Sequence, residues 1–107
     1  MKVLTILVLI LFVELSGAFA AGDAAAGKAL YLKRCKACHA EDGAGTPGMV
    51  KKYGDKMKPL GGSAVQGMKD AELAKAIQNG ASHKALAKSL QAADLDNLVA
   101  HIRTLKK

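Results

Sequence analysis

The feature that most constrains this chain is the stretch Cys35-Lys36-Ala37-Cys38-His39, which contains its only two cysteines. The residues before it, AAAGKALYLKR, have high helix propensity, and we expect the helix to continue to Cys38. On a helix the two thiols and the imidazole stand at positions i, i+3 and i+4, so they point in the same direction. The spacing therefore predicts a chemical site at the end of this helix.

Cys-x-x-Cys-His is the attachment signature of c-type haem. Two thiols one turn apart can add to the vinyl groups on one porphyrin edge, and the next residue then places its imidazole beneath the iron. A thioredoxin-like pair would instead start a helix that follows a strand, and a zinc finger would need His83 and His101 closer together. A disulfide would be strained and would leave His39 without a role. We therefore predict one covalent haem c, anchored by Cys35 and Cys38, with His39 as the proximal iron ligand.

The first twenty residues have the anatomy of an export leader. Lys2 precedes an uncharged apolar run of eleven residues, 3–13, and residues 18–20 (Ala-Phe-Ala) form a cleavage site. The run is shorter than the ~20 residues that a spanning helix needs, and Glu14 interrupts it. We expect residues 1–20 to be a cleaved signal peptide and residues 21–107 to form one periplasmic domain without stable membrane insertion.

The mature chain has little aromatic bulk from which to build a core. Both phenylalanines, Phe12 and Phe19, lie in the leader, tryptophan is absent, and two tyrosines remain. A domain of this size with mostly alanine and leucine as its apolar content buries too little surface to be stable unaided. We expect a large apolar cofactor to complete the core.

The charge of the chain bears on its partners. Sixteen lysines and arginines stand against nine acidic residues, a formal net charge of +7, and the leader contributes one residue of each sign. The lysines are spread along the chain without interleaved aromatic residues, so nucleic-acid binding is not predicted. We expect a monomer whose partners are redox proteins with acidic docking surfaces.

Helical periodicity predicts four helices and no strand. The first runs from about Ala24 to Cys38 behind an Asp23 N-cap, and a short helix is expected at residues 49–53. The third spans Asp70–Asn79, with Asp70 as its N-cap and Asn79-Gly80 as its stop. The last, at residues 92–105, has an apolar stripe formed by Leu95, Leu98, Val99, Ile102 and Leu105.

These features together resemble the small, single-haem, class I cytochromes c of bacteria. GDAAAGKALYLKRCKACH is similar to the family's N-terminal helix and haem motif, and LDNLVAHIRTLKK is similar to its C-terminal helix. The resemblance implies an all-α fold of three to five helices packed around one covalent haem. It implies that the terminal helices cross, with Gly27 and Tyr31 against Leu98 and His101. It also implies that a proline carbonyl accepts a hydrogen bond from the proximal imidazole, and Pro47 is the matching residue.

The chain departs from this family at the distal iron ligand. The usual ligand is a methionine between the last two helices, but here NGASHKALAKS occupies that segment and places His83 at the methionine position. The resemblance therefore favours His83. The alternatives left open are Met68 or, second, Met57 as the ligand, a site left open or bound by water, and a His83 that is only a surface loop residue.

The function that this resemblance implies is one-electron transfer rather than enzymatic catalysis. Methionine on iron raises the reduction potential relative to a second histidine, so two histidines would give a low-potential carrier. Two alternatives differ in class. One is a haem-based binder or sensor of small gases with a labile distal ligand, and the other is the haem subunit of a larger oxidoreductase.

Overall fold

The structure is a computed structural model that describes residues 22–107, so the predicted leader lies outside it. The described chain is helical and has no strand, as predicted. Its helices are α1 (Ala24–Arg34), α2 (Lys36–His39), α3 (Pro47–Tyr53), α4 (Ser63–Gln66), α5 (Asp70–Asn79), α6 (Lys84–Ser89) and α7 (Ala92–Thr104), with a 3-10 turn at Gly54–Lys56. Within residues 22–107 no helix has the length and apolar character to cross a membrane.

The first helix begins where the sequence predicts and ends earlier. The Asp23 carboxylate accepts hydrogen bonds from the amides of Ala25 and Ala26, which confirms this residue as the N-cap. Helix α1 stops at Arg34 instead of Cys38, because Cys35 leaves the helix and becomes the N-cap of α2. The haem motif therefore has a turn of its own.

The remaining differences concern short elements and one cap. Helix α5 has the predicted bounds, but its predicted N-cap is wrong: Lys69 holds that position without a side-chain bond, and Asp70 is the first helical residue. Helices α4 and α6 were not predicted, because four and six residues are too few to show a helical period. With α2 they bring the total in the described residues to seven where three to five were expected.

The terminal helices cross at a small residue, as the resemblance implied. Gly27 of α1 is buried, and a Cβ atom there would overlap the backbone carbonyl of Asn97 on α7. The two backbones approach this closely because glycine has no side chain. The side-chain oxygen of Asn97 also accepts a hydrogen bond from the Asp23 amide at 2.8 Å, which holds the start of α1 against α7.

Tyr31 and His101 fill the space beside this crossing. Tyr31 is fully buried and His101 is 5 % exposed. Their ring centroids lie 4.9 Å apart at an interplanar angle of 55°, a tilted arrangement that aromatic rings favour. His101 therefore packs where the family has an aromatic residue, as predicted.

A small apolar cluster lies where α7 packs against α4 and α5. It consists of buried Val65, Leu73, Val99 and Ile102, with Leu60, Met68, Ala74 and Ile77 packed against it. Arg103 closes its edge by donating to the carbonyls of Gln66 and Met68 and by pairing with Asp70 at 2.7 Å. Only seven apolar side chains in residues 22–107 are buried, which agrees with the expectation that a cofactor completes the core.

We predict that His101→Phe makes the protein less sensitive to acid. The His101 Nε2 atom is buried without a hydrogen-bond partner, and burial, with Lys28 nearby, lowers the pKa of this imidazole. A histidine whose pKa is lowered on folding binds protons better when unfolded. Its contribution to stability is therefore complete above the unfolded pKa of about 6.5 and is lost as the pH falls below it.

The measurement is urea unfolding of haem-loaded protein at pH 7 and pH 5. The variant should exceed the wild type in free energy of unfolding by about 1 kcal/mol at pH 7, because it removes an unsatisfied buried nitrogen. The difference should grow at pH 5. An equal loss of stability in both proteins between the two pH values would contradict the prediction.

Candidate haem site

Cys35, Cys38 and His39 lie on one tight turn, as their spacing predicts. The backbone of Cys35 has φ −114° and ψ −31°. Its carbonyl accepts hydrogen bonds from the amides of Cys38 at 3.2 Å and His39 at 2.9 Å. Both cysteines are free thiols, so both are available for attachment to a ligand.

The environment of the first thiol is unlike that of a redox-active cysteine pair. Burial raises the pKa of Cys35 to about 11; the charge of Arg34 opposes this rise, and Cys38 adds to it. Thiol–disulfide enzymes of the thioredoxin type lower the pKa of their attacking cysteine, because the thiolate is the nucleophile. The raised pKa of Cys35 therefore argues against a thioredoxin-like disulfide-exchange site.

The loop after His39 folds back on the motif. The amide of Gly45 donates to the His39 carbonyl at 2.7 Å, and the amide of Thr46 donates to the Cys38 carbonyl at 3.0 Å. Gly45 has φ +91°, a conformation that glycine adopts without steric cost. These bonds fix the backbone on both sides of the imidazole.

Ala40, the residue directly after His39, has an unusual backbone conformation. Its φ is +62° and its ψ is +166°, a region that is essentially restricted to glycine and costs of the order of 1–3 kcal/mol for other residues. The hydroxyl of buried Tyr31 donates a hydrogen bond to the Ala40 carbonyl at 2.5 Å. Burial raises the pKa of Tyr31, so the hydroxyl keeps its proton and remains a donor.

The imidazole of His39 is half-buried, and its Nδ1 atom is buried without a hydrogen-bond partner in the described residues. Burial, and to a smaller extent the neighbouring His83, lower the pKa of His39, so the ring is neutral and able to bind a metal. Pro47 is the first residue of α3, and the predicted hydrogen bond to its carbonyl is absent from the structure. The role of Pro47 therefore stays a prediction.

His83 lies between α5 and α6. Its Nδ1 atom is 2.8 Å from the carbonyl oxygen of Ile77. A carbonyl only accepts hydrogen bonds, so Nδ1 carries the proton and Nε2 keeps a free lone pair. The turn that holds His83 is also tied to α3, because the hydroxyls of Tyr53 and Ser82 lie 3.0 Å apart.

The fold brings the rings of His39 and His83 together. Their centroids are 6.1 Å apart, at an interplanar angle of 55°. Metal ions of the first transition row bind imidazole nitrogen at about 2.0–2.1 Å, so one ion between two opposed imidazoles separates their centroids by about 6 Å. No group of three or more potential metal-binding side chains occurs among residues 22–107. Haem iron, to which the porphyrin supplies four nitrogens, would need at most two ligands from the protein.

The two methionines considered as alternative distal ligands both make packing contacts. Met68 packs against the apolar cluster, and its carbonyl accepts a hydrogen bond from Arg103. Met57 lies beside Gly45, in contact with the loop that follows His39.

Sequence reasoning missed the groups that hold His83. The Ile77 carbonyl has no signature in a sequence, since every residue has a carbonyl. Gly80 was recognised only as the stop of α5, although a Cβ atom at this position would overlap the His83 ring. The bond between Tyr53 and Ser82 joins residues 29 positions apart, which no local pattern reveals.

An all-α fold in which a Cys-x-x-Cys-His turn lies near a second imidazole is typical of a small haem-binding protein. The family model for cytochrome c matches residues 24–106, and the chain belongs to the cytochrome c family. Comparisons with curated proteins and with solved structures give no match. Haem c is covalently attached in this family. The free thiols and the small core both fit that group.

We predict that the two thiols anchor the cofactor. Cys35→Ala and Cys38→Ala should each remove one thioether, and the double variant should release its haem into acidic acetone. Intact-mass spectrometry measures the haem that stays bound to the chain. Ala37→Ser, an exposed change between the two cysteines, is the matched control and should retain covalent haem. Covalent haem in the double variant would contradict the assignment.

Proposed function

We propose that this protein is a periplasmic one-electron carrier whose iron is held by His39 on the proximal side and by His83 on the distal side. The observation that carries the proposal is the separation of the two rings, 6.1 Å between centroids, which suits a single iron between them. The packing of Met68 against the apolar cluster supports the same choice.

The bound haem supplies a one-electron couple, Fe(III)/Fe(II). The chain holds both ligands in place. His39 is fixed by the bonded loop that follows it, and His83 by the Ile77 carbonyl. Ligands that the protein holds in place move little when the iron changes between its two oxidation states. A small rearrangement favours rapid electron transfer. The two ligands also leave no coordination position for an external ligand.

A second imidazole in place of the usual methionine bears on the reduction potential. A thioether raises the potential of haem iron relative to a nitrogen ligand. We therefore infer a carrier of low potential, suited to donors and acceptors more reducing than those of a terminal oxidase.

The location follows from the leader and from the family. Residues 1–20 have the pattern of a cleaved signal peptide. Domains of this family in bacteria are typically periplasmic or extracellular, and covalent haem at the Cys35–Cys38 pair fits such a compartment.

The gas-binding alternative requires His83 to leave the iron. The hydrogen bond from Nδ1 to Ile77 and the bond between Tyr53 and Ser82 both hold the distal segment in place. Stable ligation therefore has more support than a labile ligand. Carbon monoxide binding to the reduced wild type as tightly as to reduced His83→Ala would favour the alternative.

We predict that His83→Ala changes the axial spectrum. The oxidised wild type should be six-coordinate and low-spin, and the variant should become high-spin or bind an external ligand such as imidazole. Absorption and EPR spectra of both oxidation states measure this. Met68→Leu is the control, because it conserves volume in the apolar cluster and should leave the spectra unaltered. Unchanged spectra for His83→Ala, with altered spectra for Met68→Leu, would transfer the distal role to Met68.

We also predict that lysines steer the redox partner. Lys51, Lys52, Lys56 and Lys58 are exposed on α3 and in the segment after it, which is joined to the distal turn by Tyr53 and Ser82. If the partner is acidic, raising the salt concentration from 10 mM to 200 mM should slow bimolecular electron transfer by about tenfold or more.

Replacing individual lysines with glutamate shows which part of the surface contacts the redox partner. The pair Lys51→Glu and Lys52→Glu should reduce the second-order rate at low salt more than Lys28→Glu and Lys106→Glu, which lie on the α1 helix and after the α7 helix. Stopped-flow kinetics with the natural partner measures the rates. Rates independent of salt would refute steering by charge.

A further inference from the structure

We propose that the C-terminal end of α5 positions the His83 imidazole as distal ligand, through the Ile77 carbonyl and the bare backbone of Gly80. The inference rests on the proposed function, since it presupposes that His83 binds the iron. It adds two groups that act through His83 and that the family pattern does not contain, because the family has methionine at this position.

The first contribution is a hydrogen-bond acceptor. The last four carbonyls of an α-helix have no partner within the helix. At the end of α5 the Ala76 carbonyl is satisfied by the Gly80 amide at 3.0 Å, and the Ile77 carbonyl by His83 Nδ1 at 2.8 Å. An outer acceptor of this kind fixes the tautomer and the ring orientation of a metal-binding histidine, and it raises the basicity of the other nitrogen.

The acceptor is itself held in place. Ile77 packs against the apolar cluster, of which Leu73, one turn earlier in α5, is a buried member. The carbonyl also lies at the negative end of the helix dipole, which favours a proton shared with it. The hydrogen bond to Ile77 therefore fixes the position of the His83 ring relative to the apolar cluster.

The second contribution is space. A Cβ atom on Gly80 would overlap Nδ1 of His83 and would lie 2.9 Å from both Cγ and Cε1 of the ring. The backbone of Gly80 has φ −54° and ψ 138°, a conformation that any residue can adopt. Glycine is therefore required here by the imidazole that lies against it and not by backbone strain.

The main chain of His83 is fixed from both sides. Its amide donates to the Gly80 carbonyl at 2.8 Å, and its own carbonyl accepts from the Ala87 amide of α6 at 2.7 Å. With the backbone held and Nδ1 bonded to Ile77, little freedom remains at the two side-chain torsions. Nε2 is then the ring nitrogen left to bind the iron.

A purely structural role for the same contacts has to be separated by experiment. A histidine that bonds a terminal helix carbonyl also stabilises the helix end. Loss of such a cap lowers the free energy of unfolding and leaves the iron unaffected. Loss of ligand positioning changes the spectrum and the reduction potential.

The test is Gly80→Ala in the haem-loaded protein, with Gly48→Ala as the matched control. Gly48 lies in α3, and a Cβ atom there meets nothing within 4 Å. Loss of an outer acceptor typically weakens a metal–ligand bond by about 10- to 100-fold. The affinity of the reduced Gly80→Ala protein for carbon monoxide, which competes with His83, should therefore rise by about that factor.

The reduction potential gives a second reading. An imidazole without its acceptor donates less charge and stabilises oxidised iron less, so the potential of Gly80→Ala should rise. A tenfold selective loss of affinity in the oxidised state corresponds to about 59 mV for one electron. The EPR g values of the oxidised variant should shift as well, whereas Gly48→Ala should match the wild type in all three measurements.

The outcomes separate this inference from the proposed function. If His83→Ala leaves the spectra unchanged, the proposed distal ligand is wrong and the inference falls with it. If His83→Ala changes them while Gly80→Ala matches Gly48→Ala in potential, EPR and carbon monoxide affinity, the ligand stands and the positioning role is refuted.

A measurement on the wild type serves if Gly80→Ala does not fold. The Nδ1 proton of His83 should be visible by NMR in the reduced protein and should exchange slowly with solvent, as a proton bonded to Ile77 does. Exchange at the rate of free imidazole would overturn the inference.

Discussion

The crossing of α1 and α7 is the constraint on which the rest of the structure depends. At this crossing the backbones of Gly27 and Asn97 are in direct contact. Any side chain at position 27 would force the two helices apart. Helix α1 leads within one residue into the Cys-x-x-Cys-His turn. Helix α7 carries Val99 and Ile102, on which α5 packs. The position of the Cys-x-x-Cys-His turn thus depends on one crossing helix, and the position of α5, which precedes His83, depends on the other.

This arrangement explains how so small a core can define a site. The buried apolar side chains gather along α7 and its contacts, and both imidazoles lie outside that cluster. Packing along α7 therefore positions the C-terminal ends of α1 and α5, after which His39 and His83 follow. Haem c would supply apolar surface that the described residues lack. Because haem would complete the apolar core, its loss should lower the free energy of unfolding as well as abolish function.

Sequence patterns predicted the parts of this structure that depend on neighbours along the chain. The Cys35–His39 turn, the apolar stripe of α7 and the Asp23 cap are all local, and each is confirmed by the structure. The break after Arg34 was not predictable from propensity, because the residues on both sides of it favour helix. The contact between His39 and His83 joins distant segments, and only a family resemblance suggested it. The Ile77 carbonyl could not be foreseen at all.

Ala40 shows how far this dependence on distant residues extends. Its glycine-like conformation is unfavourable in isolation, and the Tyr31 hydroxyl that bonds its carbonyl is in place only when α1 is packed against α7. The direction in which the chain leaves His39 is therefore a tertiary property. The backbone next to the imidazole of His39, four residues from Cys35, therefore depends in part on a helix from the other end of the polypeptide.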